Sequence, residues 1–529
     1  MTTKYTSTDM PSASLRSTPS IRLLLPILFV IAITAVGGCA ATHFDDPVEA
    51  MTSRALTQAE VINAMRQAEA EQPDNELRLK ALRNMITETG YTLAVRTEAC
   101  NELLAYDEQA ARVLLRLRLP YMMTWDFIEY LCDEATANNW TDFTSSLIRS
   151  LSRPAPMLDF NDRPERKALL TLYPDRDLQE IIFEYIRQPS PNAIEAEWRL
   201  KAWELLAKTG QINPLFDLLL GDPDPNAGTD PLLDELRYVA DELGIIPITR
   251  EEILWLRRLA QPEYADWWQQ CKDTVAPIDQ ERRADIRVRH LAVLIQVRAS
   301  FPEWLDMSHA DLCAEMTNRL DGSRDFVFVH NVADKVLSDE GLQTFATWQD
   351  KLAWPDLLAV RLADEILSDP RVQQELMAQA EADRGDTSTE HGGVLTMQQP
   401  EGAAEPQPTV IPFSPRYRGN DYKFFAPDEM VVAGYTAPFH YHFHAQKANN
   451  REYAGPGLGD LQYAEAMGIN GIVLTTVGSR SINMDYYQPA PRIFQTEQKM
   501  TDKQDSSDNE GLLKYHPAVI ELGTYEVKR

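Results

Sequence analysis

His440-Tyr441-His442-Phe443-His444, followed by Ala454-Gly455-Pro456-Gly457-Leu458-Gly459-Asp460-Leu461, is the most informative stretch of this chain. Consecutive aromatic and imidazole side chains suit a pleated strand. Residues two apart on a strand share a face, so the three imidazoles form a row with rings roughly 6.5–7 Å apart. Tyr441 and Phe443 point the other way, toward a core. The chain has only nine histidines, so three within five positions is no accident of composition. Imidazole is the commonest metal ligand. Two strand-mates and a carboxylate from a nearby loop fill three corners of a zinc tetrahedron.

The surroundings of this stretch read as a small α+β domain over residues 410–529. Met430 to Tyr435 is expected as a strand, turning at Thr436-Ala437-Pro438 into Phe439 to His444. Gly459 or Asp460 to Met467 reads as a helix closed by Gly468. Ile472 to Val477 is an apolar run typical of a buried strand. Ile482 to Tyr487 and Arg492 to Gln498 are expected as further strands. Residues 381–409 are rich in Gly, Pro, Gln, Glu and Ala and read as a flexible linker.

Upstream, from about Leu56 to Ala382, the pattern is helical throughout. Leu178, Ile181, Ile182, Tyr185 and Ile186 make one apolar stripe after the N-cap candidate Asp177. Asn192 opens a second helix with Ile194, Trp198, Ala202, Leu205 and Leu206 on one face. Short amphipathic helices joined by Pro, Gly and Asp turns resemble an α-solenoid of the HEAT or tetratricopeptide kind, without a residue pattern at fixed period. Trp125, Trp140, Trp198, Trp203, Trp255, Trp267 and Trp268 mostly fall on apolar stripes, as core residues do. The expected fold is therefore multi-domain: an all-α, repeat-like domain over 39–380, the linker, and the α+β domain.

The N-terminus decides the expected compartment. Lys4, Arg16 and Arg22 precede the apolar run Leu23 to Val36, which is short for a membrane span. Val36-Gly37-Gly38-Cys39 resembles a bacterial lipobox. That resemblance implies a signal peptide over 1–38, lipidation of Cys39 and anchorage to a membrane of the bacterial cell envelope. The formal net charge of −29 repels phosphate backbones, so no nucleic-acid partner is expected. Cys100, Cys132, Cys271 and Cys313 show no CxxC spacing, which excludes a zinc ribbon; disulfides and free thiols both remain open.

The order strand, His-x-His, loop, Asp at a helix start, then Gly-Ile-Val-Leu-Thr resembles the JAMM metalloprotease family. The resemblance implies that His442, His444 and Asp460 hold zinc and that an upstream glutamate acts as general base. Glu429 is the nearest candidate for that base. Gly457 stands where the family has a serine that assists the oxyanion, and Ala445 replaces the usual proline. His440 shares the strand face but is expected to stand behind the ligands or face solvent, and Gly457 is likewise expected behind the ligands rather than among them. Two other readings compete. Gly434 followed by His440-x-His442 resembles the start of a cupin motif, but Gln446 and Lys447 occupy the positions of its glutamate. An aromatic-rich strand with hydrogen-bonded imidazoles would need no metal. The functional expectation is an exported, lipid-anchored peptide or isopeptide hydrolase. A non-catalytic envelope lipoprotein that binds a protein partner is the alternative.

Overall fold

The computed structural model describes residues 42–153, 160–189, 192–209, 212–221, 230–320, 324–325, 327, 343–400, 402–490 and 517–527. Cys39, the apolar run before it and the strand expected at 492–498 lie outside them. Two compact units divide at Val113/Leu114. In the first, helices Pro47–Thr52, Gln58–Glu71, Glu76–Thr87 and Leu93–Tyr106 bury Met51, Met65, Leu82, Met85 and Ala99. Thr57 and Glu60 close a capping box on the second of these helices. Arg78 pairs with Glu102 at 2.6 Å inside this core.

The second unit opens with helices that follow the sequence pattern. Asp177 caps Leu178–Arg187 by accepting from the Glu180 amide at 2.8 Å. Asn192 does the same for Ala193–Thr209 through the Glu195 amide at 3.0 Å. Trp140, Trp198, Trp203, Trp255 and Trp268 are buried. Cys100, Cys132, Cys271 and Cys313 are unbridged.

Five helices of this unit bear on the site: α1 (Val288–Ser300), α2 (Trp354–Ser368), α3 (Pro370–Arg384), α4 (Asp428–Gly434) and α5 (Leu458–Met467). They surround a six-stranded mixed sheet of β1 (Gly392–Gln398), β2 (Gln407–Phe413), β3 (Phe439–His444), β4 (Gly471–Thr476), β5 (Ser481–Gln488) and β6 (Ala518–Glu526). Spatial order is β2-β1-β3-β4-β5-β6. Only β3 and β4 are parallel, and α5 makes the crossover between them. A helix region followed by an α+β sheet thus matches the expected class.

Two expectations are corrected. Residues 381–409 are not a flexible linker, because they contain the end of α3, all of β1 and the start of β2. Apolar side chains of α1, α2, α3 and the sheet belong to one continuous core, so there is no separate domain from 410 onward. The composition misleads for identifiable reasons. β2 is an edge strand, which tolerates Pro408 and Pro412 because their missing amides face no partner. Gly392 and Gly393 lie where the ladder is crowded: a Cβ on Gly393 would stand 2.2 Å from the Ile411 carbonyl oxygen and 2.7 Å from the Tyr441 hydroxyl. Gly393→Ala is therefore expected to cost about 1–3 kcal/mol by overpacking, read as a lower urea midpoint with an unchanged slope. The second correction concerns Met430 to Tyr435, of which Met430 to Gly434 is helical within α4 and Tyr435 is its C-cap. Val431 donates to the Pro427 carbonyl at 3.1 Å, and Pro427 is the N-cap.

The helices and the sheet are joined by buried polar groups. Asp356 in α2 accepts from Arg289 at 2.7 Å and from His290 Nε2 at 2.8 Å, both of α1. Its other oxygen accepts from the Ala353 amide at 3.0 Å and caps α2. The Arg289 carbonyl in turn accepts from Asn470 at 3.4 Å, just before β4. On the opposite side, Tyr441 of β3 donates to Gln379 of α3 at 2.6 Å.

Candidate metal centre

β3 falls where the sequence places it, and pairing fixes which face each side chain takes. Against β1 the register sets His442 opposite Gly392 and His440 opposite Val394. Continuing that ladder beyond the end of β1 brings Glu390 opposite His444, on the same face. Against β4, His442 faces Val473 and His444 faces Thr475. The chain leaves β3 past His444, passes Gly455 with its positive φ of 80°, and enters α5. The first turn of a crossover helix returns beside the C-terminal end of the strand it left, the usual place for a site in such a unit. Asp460 occupies that turn. The Gly457 amide donates to its Oδ2 at 2.7 Å, which fixes the carboxylate.

The geometry brings Asp460 to both histidines. Its Oδ1 lies 3.3 Å from His442 Nε2, and its Oδ2 lies 3.8 Å from His444 Nε2. His442 Nε2 is buried and makes no well-aligned hydrogen bond. Two ligand atoms about 2.05 Å from one ion, at tetrahedral angles, stand roughly 3.3 Å apart. The spacing therefore suits atoms aimed at a common centre better than atoms bonded to each other. His444 Nδ1 donates to the Tyr453 carbonyl at 2.7 Å, which leaves the Nε2 lone pair free to face the centre.

The fourth residue of the centre is Glu390, which the sequence reading missed. Donor atoms of Glu390, His442 and His444 all lie within 4.8 Å of one another. Glu390 is buried and accepts from Gln446 at 2.9 Å. Glu429, the expected base, is exposed on the first turn of α4 and belongs to no such cluster among the described residues. The signal for Glu390 was present as a carboxylate directly before a β-like run, but the glycines after it read as linker.

His440 is buried, not solvent-facing, and neither ring nitrogen has a partner. A Cβ on Gly434 would stand 2.0 Å from its Nε2, so the imidazole packs against α4 and away from the metal cluster. Burial pushes His440 down to about 4. This residue stays neutral.

Charge at the centre is unbalanced toward carboxylates. Burial pushes Glu390 up to about 7, with His442 opposing the rise and Asp460 adding to it. Burial likewise pushes Asp383 up to about 8, although the His391 amide holds its charge. Burial would lower His442, but the Asp460, Glu390 and Asp383 carboxylates outweigh it and raise His442 to about 9. Burial would raise Asp460, but His442 and His444 outweigh it and hold the carboxyl well below its usual range. Burial and the crowding of three carboxyls hold Glu390 and Asp383 partly protonated near neutral pH, and a divalent cation would favour their ionised forms. Two imidazoles with carboxylates are also the donor set that suits zinc and similar ions.

Among the described residues no helix is long and apolar enough to cross a membrane. No protein-family model, curated protein or solved structure matches this chain.

Proposed function

We propose that this chain is an exported, lipid-anchored zinc hydrolase of the JAMM type that cuts a peptide or isopeptide bond. The observation that carries the reading is the meeting of Glu390, His442, His444 and Asp460 at one end of β3. His442 and His444 through Nε2, and Asp460 through its carboxylate, would hold the metal. When bound, zinc supplies a Lewis acid and lowers the pKa of a water at its open position. The Glu390 carboxylate would serve as the general base for the attacking water and would return the proton to the leaving amine. Gln446 orients Glu390, and the Gly457 amide orients Asp460. Tyr422, Tyr453 and Leu458 are exposed on segments that also hold the site, which favours a substrate with apolar side chains near the scissile bond. The helical array, solenoid-like in its short paired helices, would present that substrate.

One observation favours the second reading, a non-catalytic envelope lipoprotein that binds a protein or peptide. Gly457 offers no hydroxyl to an oxyanion, and its amide is already committed to Asp460. A panel of peptide and isopeptide substrates, offered to the zinc-loaded full chain, separates the two. Chelator-sensitive cleavage supports the hydrolase. Zinc binding without cleavage of any substrate supports the second reading.

The anchor has its own test. Cys39→Ser should leave the precursor unprocessed or release the protein from membranes. Unchanged detergent partitioning of the Ser variant would contradict lipidation.

A further inference from the structure

The same face of the sheet carries a second cluster of buried polar groups, two strands beyond the histidines. β4 and β5 pair Val473 with Asp485 and Thr475 with Asn483, and β5 pairs Asp485 with Glu521 of β6. His442 and Asp485 are thus about 10 Å apart across the sheet, two strand spacings. Thr475, Asn483 and Asp485 have no solvent exposure, and Glu521 has almost none.

Most of their oxygens are left without a protein partner. Both carboxylate oxygens of Asp485, Oε2 of Glu521, Oδ1 of Asn483 and Oγ1 of Thr475 are buried without a hydrogen-bond partner. Glu521 Oε1 is occupied by the Val327 amide and by Asn483 Nδ2, the latter at 2.6 Å. Burial and the neighbouring Glu521 push the Asp485 carboxyl well above its usual range, and burial pushes Glu521 up to about 7 against the Val327 amide, Asn483 and Arg451. Cross-strand carboxylates this close repel. An unsatisfied buried polar oxygen costs about 1–3 kcal/mol, and more when charged. Five such oxygens in one place call for a ligand that accepts oxygen donors only.

We propose that Thr475, Asn483, Asp485 and Glu521 form a second cation site, for a hard divalent ion of the Ca²⁺ or Mg²⁺ class. The donors are all oxygen, with no imidazole or thiolate, which disfavours zinc and favours hard cations. The site differs from the histidine centre in every residue, so it stands whether or not that centre is catalytic. Its place in the fold gives it a structural task. It ties β4, β5 and β6 together beneath the segment that carries Gly455 toward Asp460.

The test uses the purified full chain in detergent, stripped with chelator and then titrated with Ca²⁺ or Mg²⁺ alone. Ion binding is followed by calorimetry and thermal unfolding by circular dichroism. The proposal expects one saturable ion per chain and a rise in melting temperature. His442→Ala/His444→Ala should keep both effects. Asp485→Asn/Glu521→Gln should lose both, and its metal-free form should melt above metal-free wild type, because the repulsion is gone. Absence of any Ca²⁺ or Mg²⁺ effect on wild type would overturn the proposal and leave a proton-sharing acid pair. Equal binding to wild type and the Asn/Gln variant would also overturn it, since the ions would then sit on the acidic surface.

Discussion

Glu390→Gln should lower hydrolysis by about 10²–10⁴-fold, the usual contribution of a positioned general base, while the protein keeps its metal. Gln has the same shape and still offers Gln446 a carbonyl oxygen, so the hydrogen bond now made at 2.9 Å can persist. It loses only the ability to take a proton. The change also removes one of three crowded carboxylates, so stability should not fall. His442→Ala, His444→Ala and Asp460→Ala should differ in kind, because each removes a donor atom and the metal with it. Glu429→Gln is the control: its exposed position on α4 predicts full activity. Turnover rate and bound zinc measured on the same preparations check this. A Glu390→Gln variant with wild-type turnover would remove Glu390 from the chemistry.

Asp356→Ala should be the most destabilising single change of those considered, by about 3–5 kcal/mol, the cost of leaving a buried charge without its partner. Asp356 compensates Arg289, bonds His290 and caps α2, and all three side chains are buried. Because Arg289 also receives Asn470 through its carbonyl, the damage should reach the entrance of β4. Urea unfolding followed by circular dichroism reads the loss; a shift below about 1 kcal/mol, the level of a surface pair, would contradict it. The same network sets an acid limit. His290 Nδ1 accepts from the Arg287 amide, so the ring is neutral with its proton on Nε2 toward Asp356. Burial, reinforced by Arg289, lowers His290 to about 4. The unfolded chain takes up that proton first, below about pH 6.5, so stability should fall as pH drops from there toward 4. Burial would raise Asp356, but Arg289 and His290 hold it well below the usual carboxylate range, so its contribution is lost only in stronger acid.

What the sequence revealed depended on how local each signal was. β3, α5 and β4 were legible because alternation, a helix start and an apolar run each occupy a few consecutive residues. The pairing of His442 and His444 followed from the alternation, and Asp460 came from the resemblance that its place at a helix start completes. Glu390 was not legible. It joins the site through the pairing of β1 with β3, and its strand hides behind a glycine pair that crowding requires and prolines that an edge permits. Met430 to Tyr435 was ambiguous for another reason. A short apolar run has no period long enough to separate helix from strand, and Pro427 decided it as an N-cap. The Asp485–Glu521 pair carried no sequence signal, because its partners meet only across the sheet.

Metal analysis of the full-length protein tests the central claim most directly. Protein purified without chelator, dialysed and analysed by plasma mass spectrometry, should carry close to one zinc per chain. His442→Ala/His444→Ala should carry none, with its helical circular dichroism unchanged. Zinc absent from the wild type after incubation with a stoichiometric supply, or equally bound by the double variant, would contradict the metal centre and with it the proposed hydrolase.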